Sequence, residues 1–570
     1  MAIFGASFQI GRSALAAYQA ALNISGQNIA NVGNPDYTRQ TGQLSALLGG
    51  STTGVTPGGG VILSSLTRQT DSALEARLRD AFGASSGSAA EYQTLNQVEG
   101  MFNSLSDQDV SSLLSQFFGS FGNLQTSPAD STSRSQVLTS AQGLLSTLHR
   151  QRGNLLQTAK DLNTQIGAAA DQANQLAGQI ANLNKQISIA ESGGRTIASA
   201  LRDQRDAVTR KLSELMDIQV REQPNGAFNV YVGSEPLVQF GTSRGIKVDT
   251  KLENGLEKAT IRFADNNGNV KLRSGKLAGL LAARDNGILD QLNGMDKFAK
   301  GLIYEVNKIH STGVGLVGHT QLSGTYAAKD ANQPLNSAAA GLDFPVQNGT
   351  FIVHMRDATS GAEITRQIEV DLDGLNNDDT TLNSLASALG NVPGLTATVS
   401  TDNRLQLTAA AGQEFFFTDD RSGAVAALGL GTFFSGTNAG DIAINPDVES
   451  DPRLIAASGS GLTNDGDNAG KLAALAADSA GSTLLNNQSI SGFQAALVGK
   501  LATLTASAGS ANDASQSIYD SLQAQRESIS GVSLDEESVN LMKFQQAFEG
   551  SARYISVLDQ LSDSVMSLLR

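Results

Sequence analysis

The chain has 570 residues and carries 40 basic against 55 acidic side chains, a net charge of −15 that argues against nucleic acid or an anionic membrane as partner. It contains no cysteine, which excludes a disulfide framework, and no stretch approaches the roughly 18–20 uninterrupted apolar residues of a membrane span. With 59 glycines and only 10 prolines, the composition favours long small-residue helices and glycine-rich turns over a compact enzyme core. The length predicts three or four domains of ~150 residues. The first residues lack the basic, apolar and small-residue segments of a cleaved secretory signal.

The first predicted element is an N-terminal helix. Its 3-4 stripe runs through Phe8, Gly11, Leu15, Tyr18, Leu22, Ser25, Ile29 and Val32, one narrow seam that needs a covering partner. Arg12 is the only charged side chain in residues 1–35, and the remaining surface is amide-rich (Gln19, Asn23, Gln27, Asn28, Asn31). Such a surface suits burial among hydrogen-bonding neighbours. Pro35 disfavours helix at the residue before it and ends the element. Residues 41–66 then read as an extended connector with room for one short strand at Val61-Ile62-Leu63.

Helical periodicity resumes at Leu74, Leu78 and Phe82 and continues through 92–105 and 110–124. Residues 130–189 read as one long helix, with Leu162, Ile166, Ala169, Ala173, Leu176, Ile180, Leu183 and Ile187 as its stripe. Gly193-Gly194 ends it, and a second helix over 198–216 uses Leu201, Val208, Leu212 and Leu215, so the pair reads as an antiparallel hairpin. From Ile218 the period falls to two. Strands are predicted at 218–221, 228–232, 245–248, 260–263 and 270–272, followed by a helix over 275–310. A second strand-rich block over 342–447 holds strands at 350–355, 364–372, 396–400 and 404–408 and a short helix at 382–389. The chain is helical again from about 468, and its last helix carries the seam Leu541, Phe544, Phe548, Ser551, Ile555, Leu558, Ser562, Val565 and Leu569.

Seams at both ends have two readings. Each helix is either a core helix of its own domain or half of a coiled coil completed by the other end or by a neighbouring copy. Helices of this length are marginal alone in water, so both seams are expected to be unprotected in an isolated chain and to order on assembly. The order helix, β, helix, β, helix predicts an α+β fold, an elongated helical-bundle trunk built from both chain ends with β-rich domains inserted and projecting outward. Expected domains are terminal coiled-coil helices (1–45 and 530–570), a helical trunk (66–216, 275–312 and 468–529), a small β subdomain (217–274) and a β-rich outer domain (320–455).

No motif for chemistry holds together. The four histidines, His149, His310, His319 and His354, have no metal-ligand or nucleophile spacing. Gly313-Val-Gly315-Leu-Val-Gly318 matches a dinucleotide string but follows a helix rather than a strand. Gly83-Ala-Ser85-Ser-Gly87 matches a nucleophile elbow but reads as an interruption of a helical region. Asp371, Asp373, Asp378 and Asp379 lack the terminal glutamate of a calcium loop and read as an acidic turn. No enzyme activity, cofactor or metal is expected.

The segment from Asn28 and Asn31 through Tyr37 to Arg39-Gln40 resembles the N-terminal signature of the bacterial flagellar axial proteins of rod, hook and junction. Ile529 to Glu537, followed by Leu541, Phe544-Gln545 and Ser551-Ala552-Arg553, is similar to the closing helix of that family. Leu201 to Leu215 with Asp203 and Asp206, Gly275 to Leu281 with Arg284-Asp285, Asn307 with His310, and Ala427 to Ile444 narrow the resemblance to the hook-associated junction branch. The resemblance implies a structural subunit of an extracellular layer that connects the flexible hook to the filament. Its implied partners are copies of itself in a ring-like layer, the hook protein below, and a second junction protein and the filament above. An export chaperone on the C-terminal helix and type III export without a cleaved signal peptide are also implied. The expected assembly seam comprises Leu15, Leu22, Asn28, Ile29, Asn31, Tyr37, Leu541, Phe544, Phe548, Ile555, Leu558 and Val565. Two alternatives stand beside this reading: a hook or rod subunit, and a secreted adhesin with its β domains as the binding end.

Overall fold

In a computed structural model, residues 2–48, 58–102, 109–192, 197–253, 256–477 and 481–568 are described. The fold is α+β, long helices with several small antiparallel sheets. The chain divides into two units: Met1–Thr94, Lys160–Arg284 and Ala506–Arg570 form the first, and Leu95–Ala159 with Asp285–Thr505 form the second.

In the first unit the long helix Ser131–Glu191 contributes its second half, with Leu162, Ile166, Ala169, Ala173, Leu176, Ile180 and Ile187 all buried. Leu183 of the predicted stripe is only half-buried. The next helix, Ser199–Leu215, runs back along it, since Glu191 pairs with Arg202 at 2.7 Å and Asn184 lies 3.4 Å from Arg205. The intervening Gly193-Gly194 lies outside the described residues. Val208, predicted on the buried stripe of this helix, is half-buried, and Leu212 and Leu215 carry that face. Two asparagines of the long helix fasten the β segments. Asn174 donates to Ile246 O and accepts from its N–H, both at 2.7 Å, and Asn184 brackets Phe228 at 2.8 and 2.9 Å. A paired amide satisfies both backbone groups of a strand end that faces a helix instead of another strand.

Three expectations for this unit need correction. The described parts of 41–66 are no connector: Gln40–Leu48 and Gly58–Arg68, the latter containing the expected Val61-Ile62-Leu63, pair antiparallel and pack on the N-terminal helix, while 49–57 lie outside the described residues. Glycines hid the pairing, because Gly42 and Gly60 let the two strands approach Ile24 and Ser13 too closely for a side chain. Predicted strand 270–272 does not form, and an isolated bridge between Arg262 and Asn269 takes its place. Gly83 to Gly87 does not interrupt helix either, for Ser72–Phe102 is continuous. The small residues make room: a Cβ on Gly279 would sit 2.0 Å from Gly87 O, one on Gly275 2.5 Å from Met216 Cα, and the Gly275 N–H donates to Gly83 O at 2.9 Å.

The second unit centres on an aromatic cluster in which Phe117, Phe121, Phe433 and Phe434 meet at centroid distances of 4.8–5.8 Å. Predicted strands of the 342–447 block are present as Gly349–Asp357, Glu363–Val370, Leu395–Val399 and Leu405–Ala409. Four described strands of this unit escaped the sequence reading, the two-residue Phe434–Ser435 and Ala443–Ile444 and two longer ones. Gln321–Ser323 is three residues long, and Gln413–Thr418 buries consecutive Phe415, Phe416 and Phe417, so it shows no alternation. The helix predicted over 275–310 contains a π-helical turn, Ala283–Leu289, between α-helices Lys276–Ala282 and Asp290–His310.

His310 closes the aromatic cluster. Its Nδ1 bonds Gly431 O at 2.9 Å and its Nε2 accepts the Ala456 N–H at 3.0 Å, which requires the neutral ring. Burial pulls its pKa down from 6.5 to about 4. The unfolded chain therefore binds this proton first as pH falls. The contribution is complete above about pH 6.5, shrinks as pH drops toward 4, and totals about 3 kcal/mol. His310→Phe should flatten the slope of unfolding free energy between pH 6.5 and 4 in urea titrations. An unchanged slope would show that another group governs acid sensitivity.

Candidate assembly interface

The N-terminal helix Ala2–Ala30 packs on the C-terminal helix Leu534–Leu568 within one chain. On the C-terminal helix, Leu541, Phe544, Phe548, Ser551 and Ile555 are half-buried, while Leu558 and Glu537 are buried. They repeat every three or four residues, so they share one face. On the N-terminal helix the fully buried positions are small or polar: Gly11, Ala17, Ala21, Ser25 and Asn28. Leu15, Leu22 and Ile29 flank that line and are half-buried. Gly11 sets the approach, since a Cβ there would lie 2.5 Å from Ile555 Cγ1.

Below the paired helices a polar collar ties the ends to the first unit. Asn28 Oδ1 accepts from the Tyr37 hydroxyl at 2.8 Å and the Gln40 N–H at 3.0 Å, and its Nδ2 donates to Gln40 O at 2.8 Å. Burial, then Asp203 and Glu537, raises the Tyr37 pKa to about 12, so the hydroxyl stays protonated and donates. Asn31 takes no part in this knot. It is half-buried and donates to Gln27 O one turn back. Arg39 reaches Glu536 at 2.7 Å and buried Glu537 at 2.8 Å, at the first turn of the C-terminal helix, where carboxylates favour the helix dipole. Arg526 joins Pro35 O at 2.9 Å to Glu75 at 2.8 Å, and Arg68 joins Asp203 to Asp206. Asp36 pairs with Arg210 at 2.6 Å.

Tyr37, Asn28 and the C-terminal seam were named from the sequence; Arg68, Glu75 and Arg526 as collar members were not. Glu75 and Arg526 are 451 residues apart, and nothing in either neighbourhood marks them as partners. Arg39→Ala should strand the Glu537 carboxylate in its buried position and cost about 2–3 kcal/mol of local stability. Hydrogen exchange should rise in the first turns of the C-terminal helix; unchanged protection there would remove Arg39 from the latch.

The C-terminal helix carries a second apolar stripe that the N-terminal helix leaves open. Val539, Met542, Tyr554, Val557, Leu561, Val565 and Leu568 are all exposed, Val557 by 52% and Leu568 by 84%. Val565, expected on the seam, is exposed. The run from Tyr554 to Leu568 is apolar on this face, whereas Gln546, Gly550 and Arg553 separate most of it from Val539 and Met542; an exposed apolar run of this kind marks a surface built to be covered.

For chemistry the described residues offer one three-carboxylate group, Asp371, Asp373 and Asp379. Asp379 accepts the Gly374 N–H at 2.9 Å and Asp373 the Leu375 N–H at 2.8 Å, the work of an acidic turn.

Comparison with known proteins bears on both units. The family described as flagellar hook-associated protein FlgK helical domain matches residues 95–323, and the flagellar basal body rod FlgEFG protein C-terminal family matches 523–568. Flagellar hook-associated protein 1 of Escherichia coli (strain K12) is 28% identical over 580 residues, covering 98% of this chain and 98% of that protein. Those of Salmonella typhimurium and Bacillus subtilis (strain 168) are 27% and 26% identical, again over 98% of this chain. Over 98% of its length the chain is similar to flagellar hook-associated protein 1. The flagellar hook junction protein FlgK from Burkholderia pseudomallei shares the fold, with a TM-score of 0.51 at 16% identity over 80% of this chain and all of that one. The similarity supports a flagellar hook-associated structural role for the chain.

Proposed function

We propose that this chain forms the layer joining the flexible hook to the filament. The observation that carries the reading is the C-terminal helix, which spends one apolar stripe on its own N-terminal helix and leaves the other exposed. Residues 1–45 and 530–570 act as the inner assembly domain, and the β-rich segments 217–274 and 320–455 face outward. The intended cover of the open stripe is the same helix pair of neighbouring copies in a ring-like layer, with hook subunits below and the second junction protein and filament above. The chain does no catalysis. It travels by the flagellar type III export route, and a small chaperone shields the open stripe before export. Two observations support that route: the chain lacks cysteine, and the open stripe is a liability in the cytoplasm.

Deleting the gene tests the reading. Cells should assemble hooks, lack filaments and release filament subunits into the medium. Normal filaments on the deletion strain would overturn it, and absence of hooks would favour the hook or rod alternative. A chain ending near Ser530 should lose the chaperone in a pull-down; retained binding would place that contact elsewhere.

A further inference from the structure

Gly313, Gly315 and Gly318, whose spacing matched a dinucleotide string, lie in the second unit on the loop that follows helix Asp290–His310. They serve close packing. A Cβ would sit 2.0 Å from Asn468 Nδ2 at Gly313, 2.4 Å from Arg453 O at Gly315 and 3.0 Å from the Glu414 side chain at Gly318. Backbone hydrogen bonds fasten the loop at both ends. Val314 exchanges two with Ser458 at 2.8 and 3.0 Å, and His319 exchanges two with Phe415, both at 2.9 Å. The glycines here bring neighbouring protein within reach, not a phosphate.

Against this loop lies a small cavity that offers about 10 Å³ to the centre of a water molecule, close to the least that admits one. Ser311, His319 and Gly431 are among its walls. Ser311 caps the C-terminus of the helix; its side chain is buried, and its Oγ has no hydrogen-bond partner within the protein. The His319 ring stands beside Gly431, where a Cβ would be 3.3 Å from its Nε2. That ring makes no hydrogen bond to any described residue. Burial lowers the His319 pKa from 6.5 against the opposing pull of Asp447 and Glu414, so the ring is neutral and carries one donor and one acceptor nitrogen. His310, on the same cavity, has both nitrogens engaged, by Gly431 O and the Ala456 N–H.

We propose that this cavity is a binding site for a single water molecule, held by Ser311 Oγ and a ring nitrogen of His319. A buried hydroxyl left without a partner is destabilising, and a cavity with polar walls takes up water where an apolar one stays dry. Nothing larger fits the space. The water ties the end of the helix to the end of the glycine-rich loop and, through the two His319–Phe415 bonds, to strand Gln413–Thr418. A string that matched a dinucleotide motif shapes a site for a far smaller ligand.

A double-mutant cycle on the full-length chain tests this, with unfolding constants read from urea titrations at neutral pH. Ser311→Ala should raise the unfolding constant roughly fivefold, because it removes a satisfied hydrogen bond. Were the hydroxyl unpartnered, the same change would remove a penalty instead, so an unchanged or lowered constant overturns the proposal. His319→Phe should raise the constant by a similar factor. The two changes together should do little more than either one, since each alone already releases the shared water. Effects that multiply overturn the bridge. Oxygen-17 relaxation dispersion of water supplies a direct count, and it decides the matter even if His319→Phe fails to fold. Ser311→Ala should show one long-lived water fewer than the wild-type chain; an unchanged count overturns the site.

Discussion

Ile555→Asp is expected to abolish filament attachment while leaving the main melting transition of the isolated chain in place. Ile555 faces Gly11 across the terminal pair and is only half-buried there, so a charge at this position separates two helices without opening either unit's core. Truncating a core residue typically costs ~2–5 kcal/mol, and here that loss should fall on the pairing of the two terminal helices rather than on the main unfolding of the chain. Gly11→Leu should reproduce the defect from the other side, because even a Cβ there meets Ile555 Cγ1 at 2.5 Å. Filament subunits should leak into the medium in both cases. The matched control is Leu212→Asp, at a fully buried trunk position, which should lower the melting transition. If Ile555→Asp unfolds the monomer as badly as Leu212→Asp, the terminal pair belongs to the monomer core and the assembly seam is wrong. Hydrogen exchange adds a second measure: ends that order on assembly should be far less protected than the trunk in the free chain.

Gly275→Ala should have the largest effect on monomer stability. Gly275 has φ +91, a conformation that costs a non-glycine residue of order 1–3 kcal/mol, and its new Cβ would lie 2.5 Å from backbone atoms of Met216. Neither neighbour is the end of a flexible side chain that could swing aside. Displacing the backbone breaks the Gly275 N–H bond to Gly83 O and the close crossing of Gly279 over Gly87. A loss of about 3 kcal/mol or more is expected from strain and overpacking together. Gly279→Val should do the same, since its Cβ would be 2.0 Å from Gly87 O, whereas Gly100→Ala, with open space around its Cβ, should be close to neutral. Chemical denaturation of the three variants is the measurement. A Gly275→Ala chain within about 0.5 kcal/mol of wild type would show that this crossing is not the tight contact described.

How much of this was legible beforehand follows from the range of each interaction. Helices over 131–191, 290–310 and both termini, and strands such as Phe228–Val232, were readable because periodicity is local: a stripe every 3.6 or 2 residues reflects one element's exposure to one neighbour. The α+β class followed from their order, and the absence of cysteine and of a long apolar run excluded disulfides and spanning helices directly. The C-terminal seam from Leu541 to Leu558 was likewise local. What periodicity could not reach was set by contacts distant in sequence. Small residues at Gly11, Ala17, Ala21 and Ser25, rather than the neighbouring leucines, take the deepest positions, and at Gly11 the opposing helix sits too close for a larger side chain. Gly83 and Gly87 looked like a helix break, yet they are the floor on which Gly275 and Gly279 cross. The pairing of Gln40–Leu48 with Gly58–Arg68 and the collar from Arg39 and Arg526 also depend on partners tens to hundreds of residues away. A sequence records the shape of each such surface, but only folding brings its complement within reach.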